Sequence, residues 1–219
     1  MKPTLRKCRI LGAVVFAVAL LAACSPEFNW REVHAPDGDY RVMLPGKPAS
    51  MTRDIRLEDL SVPMTMQGAR VDESSFTVAV AKLPDGEAGT RETALAAMRA
   101  GMLRNIAATS EKVTQTTVML VDAAGVMRGR APALRVDAQG SVNGKPAQMT
   151  AGFASLGTRA YQWVVIGSAT PAEQVSTFIE SFRLVPMPML DGGGSGASSH
   201  AVRPTLPAGE AASAKGSSK

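Results

Sequence analysis

Alternation of apolar and polar residues divides the middle of the chain into short strands. In FTVAVAKL, Phe76, Val78 and Val80 fall on every second position, which is typical of a strand with one buried face. The same period predicts strands at residues 40–44, 54–59, 64–71, 76–83, 113–121, 133–142, 146–156 and 160–168. Because proline cannot donate a hydrogen bond inside a sheet, we expect a turn near Val62-Pro63. Asn143-Gly144 predicts a type I′ hairpin turn.

Two segments change to a period of about 3.6 residues, which predicts helices. The first covers residues 90–108 and has its apolar residues on one face, namely Leu95, Met98, Met102 and Ile106. The second lies in TPAEQVSTFIESF, where Thr170 is placed to cap the helix, Pro171 to begin it and Glu173 to complete a capping box. Its predicted buried stripe consists of Val175, Phe178, Ile179 and Phe182.

The order of these elements predicts an α+β domain over residues 28–185, with a mainly antiparallel sheet flanked by two or more helices. This order resembles the PsbP-like α/β/α sandwich. The resemblance is carried by PDGDYRVMLPGKP, VNGKPAQMTAGFASLGTRAYQWVVIGS and FIESFRL. It implies the fold only: well-known members bind protein partners, but no contact residue matches here. Residues 186–219 are rich in Gly, Ser, Ala and Pro, and we expect them to form a disordered tail.

The first 24 residues have the layout of a secretory signal. A basic part, MKPTLRKCR, precedes an apolar part, ILGAVVFAVALLAA, and then Cys24. As a helix, the apolar part would rise only about 21 Å, which is shorter than the roughly 30 Å hydrocarbon layer of a bilayer. Alternatives are an uncleaved anchor, or a signal cut elsewhere beside an incidental cysteine.

The sequence Leu21-Ala22-Ala23-Cys24 resembles the lipobox of bacterial lipoproteins. The resemblance implies that residues 1–23 are a signal peptide cleaved between Ala23 and Cys24, and that Cys24 becomes lipid-modified and acylated. Residues 24–27 would then link the lipid to the domain. Ser25 stands where such families often carry aspartate for retention in the inner membrane, so it favours the outer membrane.

Charge and cysteine content describe the mature chain further. The whole sequence has a net charge of +5, but Lys2, Arg6, Lys7 and Arg9 all precede Cys24, which leaves 20 basic against 19 acidic residues. A nearly neutral protein lacks the field that attracts nucleic acid. Cleavage would also remove Cys8 and leave Cys24 as the only cysteine, so no intramolecular disulfide can form.

Residues capable of acid–base chemistry or ligand binding are few. The histidines, His34 and His200, lie before the first strand and in the predicted tail, where neither is rigidly positioned for catalysis. Asp37 and Asp39 have the spacing of a calcium loop, but no later acidic ligand completes it. PGKP and NGKP lack the Ser or Thr of a phosphate loop and predict turns. We therefore predict no catalytic, cofactor-binding or metal-binding residues.

Three further features leave a binding role open. Arg128, Arg130 and Arg135 either recognise an acidic partner or form a solvated strand edge. The methionines Met64, Met66, Met98 and Met102 either line an apolar groove or belong to the core. Trp163 lies in an apolar strand and is expected in the core, whereas Trp30 lies close to Cys24 and could rest at the headgroup level.

These features favour a lipid-anchored periplasmic protein without enzymatic activity. We expect it to be held to the membrane by the lipid on Cys24 and to bind an envelope protein or another envelope component. A carrier or sensor of a small apolar ligand, held between helix and sheet, is the alternative.

Overall fold

The computed structural model describes residues 28–35, 37 and 39–186, which form ten strands and two helices. The predicted signal peptide with Ala23, the lipidation residue Cys24 and the predicted tail from residue 187 onwards lie outside the described residues. The elements are β1 (Arg31–Ala35), β2 (Tyr40–Leu44), β3 (Ala49–Leu57), β4 (Leu60–Val71), β5 (Ser74–Lys82), α1 (Ala88–Asn105), β6 (Ser110–Val121), β7 (Met127–Val142), β8 (Lys145–Leu156), β9 (Arg159–Gly167), α2 (Ala172–Ser181) and β10 (Arg183–Leu184).

All ten strands belong to one sheet with the order β1-β2-β10-β6-β7-β8-β9-β5-β4-β3. Neighbouring strands are antiparallel except β10 and β6, which are parallel. The phenol of Tyr40, near one edge of the sheet, donates a hydrogen bond of 2.8 Å to the Gln67 amide oxygen, near the other edge. Since strands so far apart in the order meet, the sheet is strongly curled.

The sheet has a hydrophobic core on each face. In β9, Tyr161, Trp163 and Val165 join one core, whereas Ala160 and Val164 join the other. Helix α2 packs in the first core and helix α1 in the second, so we call the two surfaces the α2 face and the α1 face. The Tyr40–Gln67 bond lies on the α2 face, around which the sheet curls.

The helical stripes predicted from the sequence are confirmed. In α1, Met98 and Met102 are buried and Leu95 packs beside them, and in α2 Phe178 is buried while Val175 and Ile179 pack against the same core. Ile106 and Phe182 are also buried, but each lies just after the end of its helix. The predicted capping box of α2 is wrong, because the helix begins after Pro171 without a side-chain cap. The Thr170 hydroxyl instead bonds to the Ser74 hydroxyl at 2.7 Å.

The eight predicted strands all overlap strands of the structure, but β1 and β10 were not predicted, His34 lies within β1 rather than before the first strand, and the prediction around Pro63 is wrong. This proline lies inside β4, opposite Asp54 of β3, and the hairpin turn is at Glu58-Asp59. Strand β4 begins to pair with β5 only at Met64, so Pro63 lies just outside that ladder. The proline is tolerated because a residue at the end of a ladder does not need its N–H for a second neighbour.

The predicted fold class, a PsbP-like α/β/α sandwich with a mainly antiparallel sheet flanked by helices, is wrong. Of the described residues, 58% are in strands and 18% in helices, and the sheet is a curled mixed one. Only two helices are present among these residues. Each helix covers only part of its face, because long strands such as β7 extend beyond it. Where no helix covers the α2 face, the curl of the sheet buries the apolar side chains against one another.

Candidate functional site

A row of basic side chains crosses five neighbouring strands on the α1 face. His34 of β1 pairs with Arg41 of β2, which in turn pairs with Arg183 of β10. Arg183 lies beside Met119 of β6, the one apolar member of the row, and Met119 pairs with Arg130 of β7. Paired residues of adjacent strands point to the same face. We call Arg41, Arg183 and Arg130 the arginine strip.

Neither helix packs on the arginine strip. Helix α1 packs against β3, β8 and β9, and α2 packs in the core of the opposite face, where only its last turn accepts a hydrogen bond from Arg183. Arg130 is exposed, and Arg41, Met119 and Arg183 are half-buried. This part of the α1 face is therefore open to a partner.

No carboxylate lies within salt-bridge distance of the arginine strip in the part of the chain that the structure describes. Arg183 donates to the main-chain oxygens of Glu180 and Phe182, and Arg130 donates to the Thr117 hydroxyl at 3.3 Å. Partial burial, and then the positive charge of Arg130, lower the pKa of Arg183, and the carboxylate of Glu180 opposes them from beyond salt-bridge distance. The strip thus holds two like charges close together, a situation that a bound anion would relieve.

The β6–β7 turn borders the strip and exposes apolar side chains. Asp122 accepts hydrogen bonds from the N–H groups of Ala124 and Val126, each at 2.9 Å, and also binds Arg128. These bonds, first that from Val126, lower the pKa of the Asp122 carboxyl. Val126 and Met127 are left 53% and 59% exposed. Arg41 donates to the main-chain oxygen of Ala123 and so joins the strip to the turn.

A polar cleft of about 600 Å³ lies on the α2 face, between the two ends of the curled sheet. Tyr40, Thr65, Gln67, Lys82 and Arg159 contribute to its lining. Burial raises the pKa of Tyr40 to about 12, and its phenol, which is protonated at neutral pH, donates to Gln67. The cleft can offer hydrogen bonds, but nothing in its geometry activates a nucleophile.

Asp37 and Asp39, whose spacing resembles an incomplete calcium loop, lie beside this cleft in the turn between β1 and β2. Asp39 is buried and forms a salt bridge with Arg159, which also donates to the main-chain oxygen of Asp37 at 3.0 Å. Burial raises the pKa of Asp39 by more than Arg159 lowers it. In the described ranges, no three His, Cys, Asp or Glu residues are grouped as for a metal ion.

The other candidate residues lie apart from one another. His34 forms an exposed ion pair of 3.0 Å with Glu32, while His200 lies outside the described residues. Lys47 follows β2 in a turn, and Lys145 begins β8 and pairs with Glu73 at 2.9 Å. Both Gly-Lys-Pro motifs are therefore turn segments, as predicted.

The basic segment RGRAPALR is divided between the faces. Arg130 belongs to the arginine strip, but Arg135 lies on the other face, where it binds Asp137 at 2.9 Å. Arg41 and Arg183 were not among the residues singled out from the sequence. Arg41 alternates with the apolar Tyr40 and Val42 in a predicted strand, which is a local signal that it points away from the core. Arg183 has no such signal, because no strand was predicted there.

The methionines and tryptophans singled out from the sequence pack within the domain. Met64, Met98 and Met102 are buried between α1 and the sheet, with Met66 packed against them. Trp163 is 4% exposed, as expected of a core residue. Trp30 stacks on Phe28 and donates to the Gln174 amide oxygen at 3.1 Å.

No described helix has the length and apolarity needed to cross a membrane. A scan against protein-family models and a search of curated proteins both gave no match to this chain. The arginine strip is therefore interpreted from its own geometry and charge.

Proposed function

We propose that this protein is a lipid-anchored binding module of the bacterial envelope, without enzymatic activity. In this proposal the lipid on Cys24 holds the domain on the periplasmic side, at the outer rather than the inner membrane. The domain then presents the arginine strip to another envelope component.

The arginine strip is the observation that carries the proposal. Three arginines lie in one register row on an open sheet face, and none of them forms a salt bridge in the described chain. Guanidinium groups bind carboxylates and phosphates in a bidentate manner, which suits recognition of a negatively charged partner. The row contains no nucleophile or general base, so it supports binding rather than catalysis.

The packing of the first described residues supports the anchoring part of the proposal. Phe28 and Trp30 contact the ring of Phe76 with centroid distances of 6.3 and 5.9 Å. The chain is thus fixed to the domain four residues after Cys24. A domain held by so short a segment remains close to the membrane surface.

The alternative, a carrier of a small apolar ligand, has less support. It places the ligand between a helix and the sheet, beside the methionines. Met98 is 3% exposed and Met64 is 6% exposed, and both pack against other core residues. These side chains fill the space that the ligand would need.

Two measurements test the proposal in the full-length protein. Palmitate labelling should be lost in Cys24→Ala and kept in the wild type; equal labelling would contradict lipid attachment. A photo-crosslinking residue in place of Met119 should capture an envelope component, and the same residue at exposed Met51, outside the strip, should not. Capture of the same component from both positions would contradict a binding role for the strip.

A further inference from the structure

The direction of the strands separates the point of attachment from the arginine strip. Asn29 donates to the main-chain oxygen of Pro45, just after β2 ends, and Phe28 contacts Phe76, near the start of β5. We call this the anchor end of the domain. Strand β10 is antiparallel to β2, and β6 is parallel to β10, so β6 runs in the opposite direction to β2. The end of β6, with the β6–β7 turn, therefore lies at the opposite end of the domain from the end of β2.

The arginine strip lies toward this opposite end. Arg41 is the second residue of β2, three residues before its last residue, Leu44, which corresponds to roughly 10 Å along a strand. The segment between Cys24 and Phe28 spans at most about 14 Å when fully extended. A lipid at Cys24 would therefore keep the anchor end at the bilayer and leave the β6–β7 turn directed away from it.

We propose that the arginine strip and the β6–β7 turn bind an acidic segment of a partner protein. This inference rests on the proposed function, of which it names the partner class. Neighbouring strands are roughly 4.8 Å apart, so the three arginines span roughly 14 Å and suit a short series of carboxylates. Exposed Val126 and Met127 add an apolar contact beside the charges, which is typical of a protein interface.

Phospholipid headgroups could also neutralise arginines, but the position of the strip favours a protein. The anchor would hold the other end of the domain at the membrane. A headgroup phosphate would also make no apolar contact with the exposed side chain of Met127. An acidic protein segment satisfies both the charges and the apolar turn.

Binding of a labelled polyglutamate peptide to the lipidated full-length protein in detergent tests this proposal. The triple variant Arg41→Gln, Arg183→Gln, Arg130→Gln should bind at least about tenfold more weakly, because each exposed charge pair contributes roughly 0.5 kcal/mol. The matched control, Arg53→Gln, Arg56→Gln, Arg70→Gln, removes the same charge from exposed positions elsewhere and should bind within about twofold of the wild type. Equal losses in both triples would overturn the proposal.

Two further measurements keep the result decisive if the triple variant folds poorly. Met119→Glu places a carboxylate between Arg183 and Arg130 without removing any arginine hydrogen bond, and it should weaken peptide binding as well. Vesicles of phosphatidylglycerol should bind the wild type and Met119→Glu equally. Strip-dependent binding of vesicles but not of peptide would overturn the proposal in favour of a lipid partner. Failure of palmitate labelling would contradict the anchor and leave the peptide result standing.

Discussion

Arg159 and Arg130 show the same side chain in two environments on one sheet. On the α2 face, Arg159 is 20% exposed and binds Asp39, which is 8% exposed. On the α1 face, Arg130 is exposed and has no carboxylate partner in the described chain. The paired charge belongs to the packing of the domain, because a buried charge without a partner is costly. The unpaired charge costs the fold little and is free for a second molecule.

The surroundings of the two arginines differ in the same way. The α2 face holds an aromatic cluster in which Trp163 stacks on Phe182 at 4.2 Å and Phe76 meets Phe178 edge-on at 5.5 Å. The arginine strip is bordered only by half-buried or exposed residues such as Met119. We therefore expect substitutions on the α2 face to change stability and substitutions in the strip to change binding.

The largest effect is expected from Phe178→Ala. The ring is fully buried against the α2 face, so its removal leaves a cavity and should lower the free energy of unfolding by about 3–5 kcal/mol. Urea unfolding followed by tryptophan fluorescence measures this change. Val126→Ala in the exposed β6–β7 turn is the control and should change stability by less than about 0.5 kcal/mol. Similar losses in both variants would contradict the division between the two regions.

A smaller loss is expected from Arg159→Met. The substitution leaves the buried Asp39 carboxylate without its partner and should cost about 1–3 kcal/mol at neutral pH. Adding Asp39→Asn should recover part of that loss, because burial already raises the pKa of Asp39 above 3.8 and the ionised pair contributes little. If the double variant is less stable than Arg159→Met, the pair is a net source of stability and this interpretation is wrong.

The smallest expected effect is on the pH dependence of the free energy of unfolding, to which Asp39 and Asp137 should contribute in opposite ways. Burial opposes ionisation of Asp137, but hydrogen bonds from Arg135 and Thr150 outweigh it and lower the pKa below 3.8. Asp137 therefore stabilises the fold above that pH and loses its contribution as the pH falls through the lowered pKa. The pKa of Asp39 is raised rather than lowered, so its contribution to the stability of the fold is present at low pH and is lost as the pH rises.

Unfolding midpoints of Asp137→Asn and Asp39→Asn at pH 3 and pH 7 would measure this difference. Asp137→Asn should be least stable relative to the wild type at pH 7 and approach it at pH 3. Asp39→Asn should gain relative to the wild type as the pH rises. The same trend in both variants would show that the two carboxyls do not differ in the way described.

Local features of the chain were predictable because they depend on neighbouring residues. The stripe of Met98 and Met102 follows from the helical period, and both residues are buried. Asn143 and Gly144 have positive φ values of 51° and 76°, as the predicted hairpin turn requires. Pro63 was misplaced because a proline rule for central strands cannot tell where pairing with the next strand begins.

The sequence by itself determined the approximate positions of both helices and of eight of the ten strands in the described chain, and which side of each is apolar, since these periods follow from backbone geometry. Only the tertiary structure decided that Arg41, Arg183 and Arg130 lie in one row. These residues come from segments far apart in the chain, and the parallel pairing of β10 with β6 brings them together. Such pairing depends on which strand edges remain unpaired when the whole sheet forms, and a local pattern of residues does not predict which edges these are.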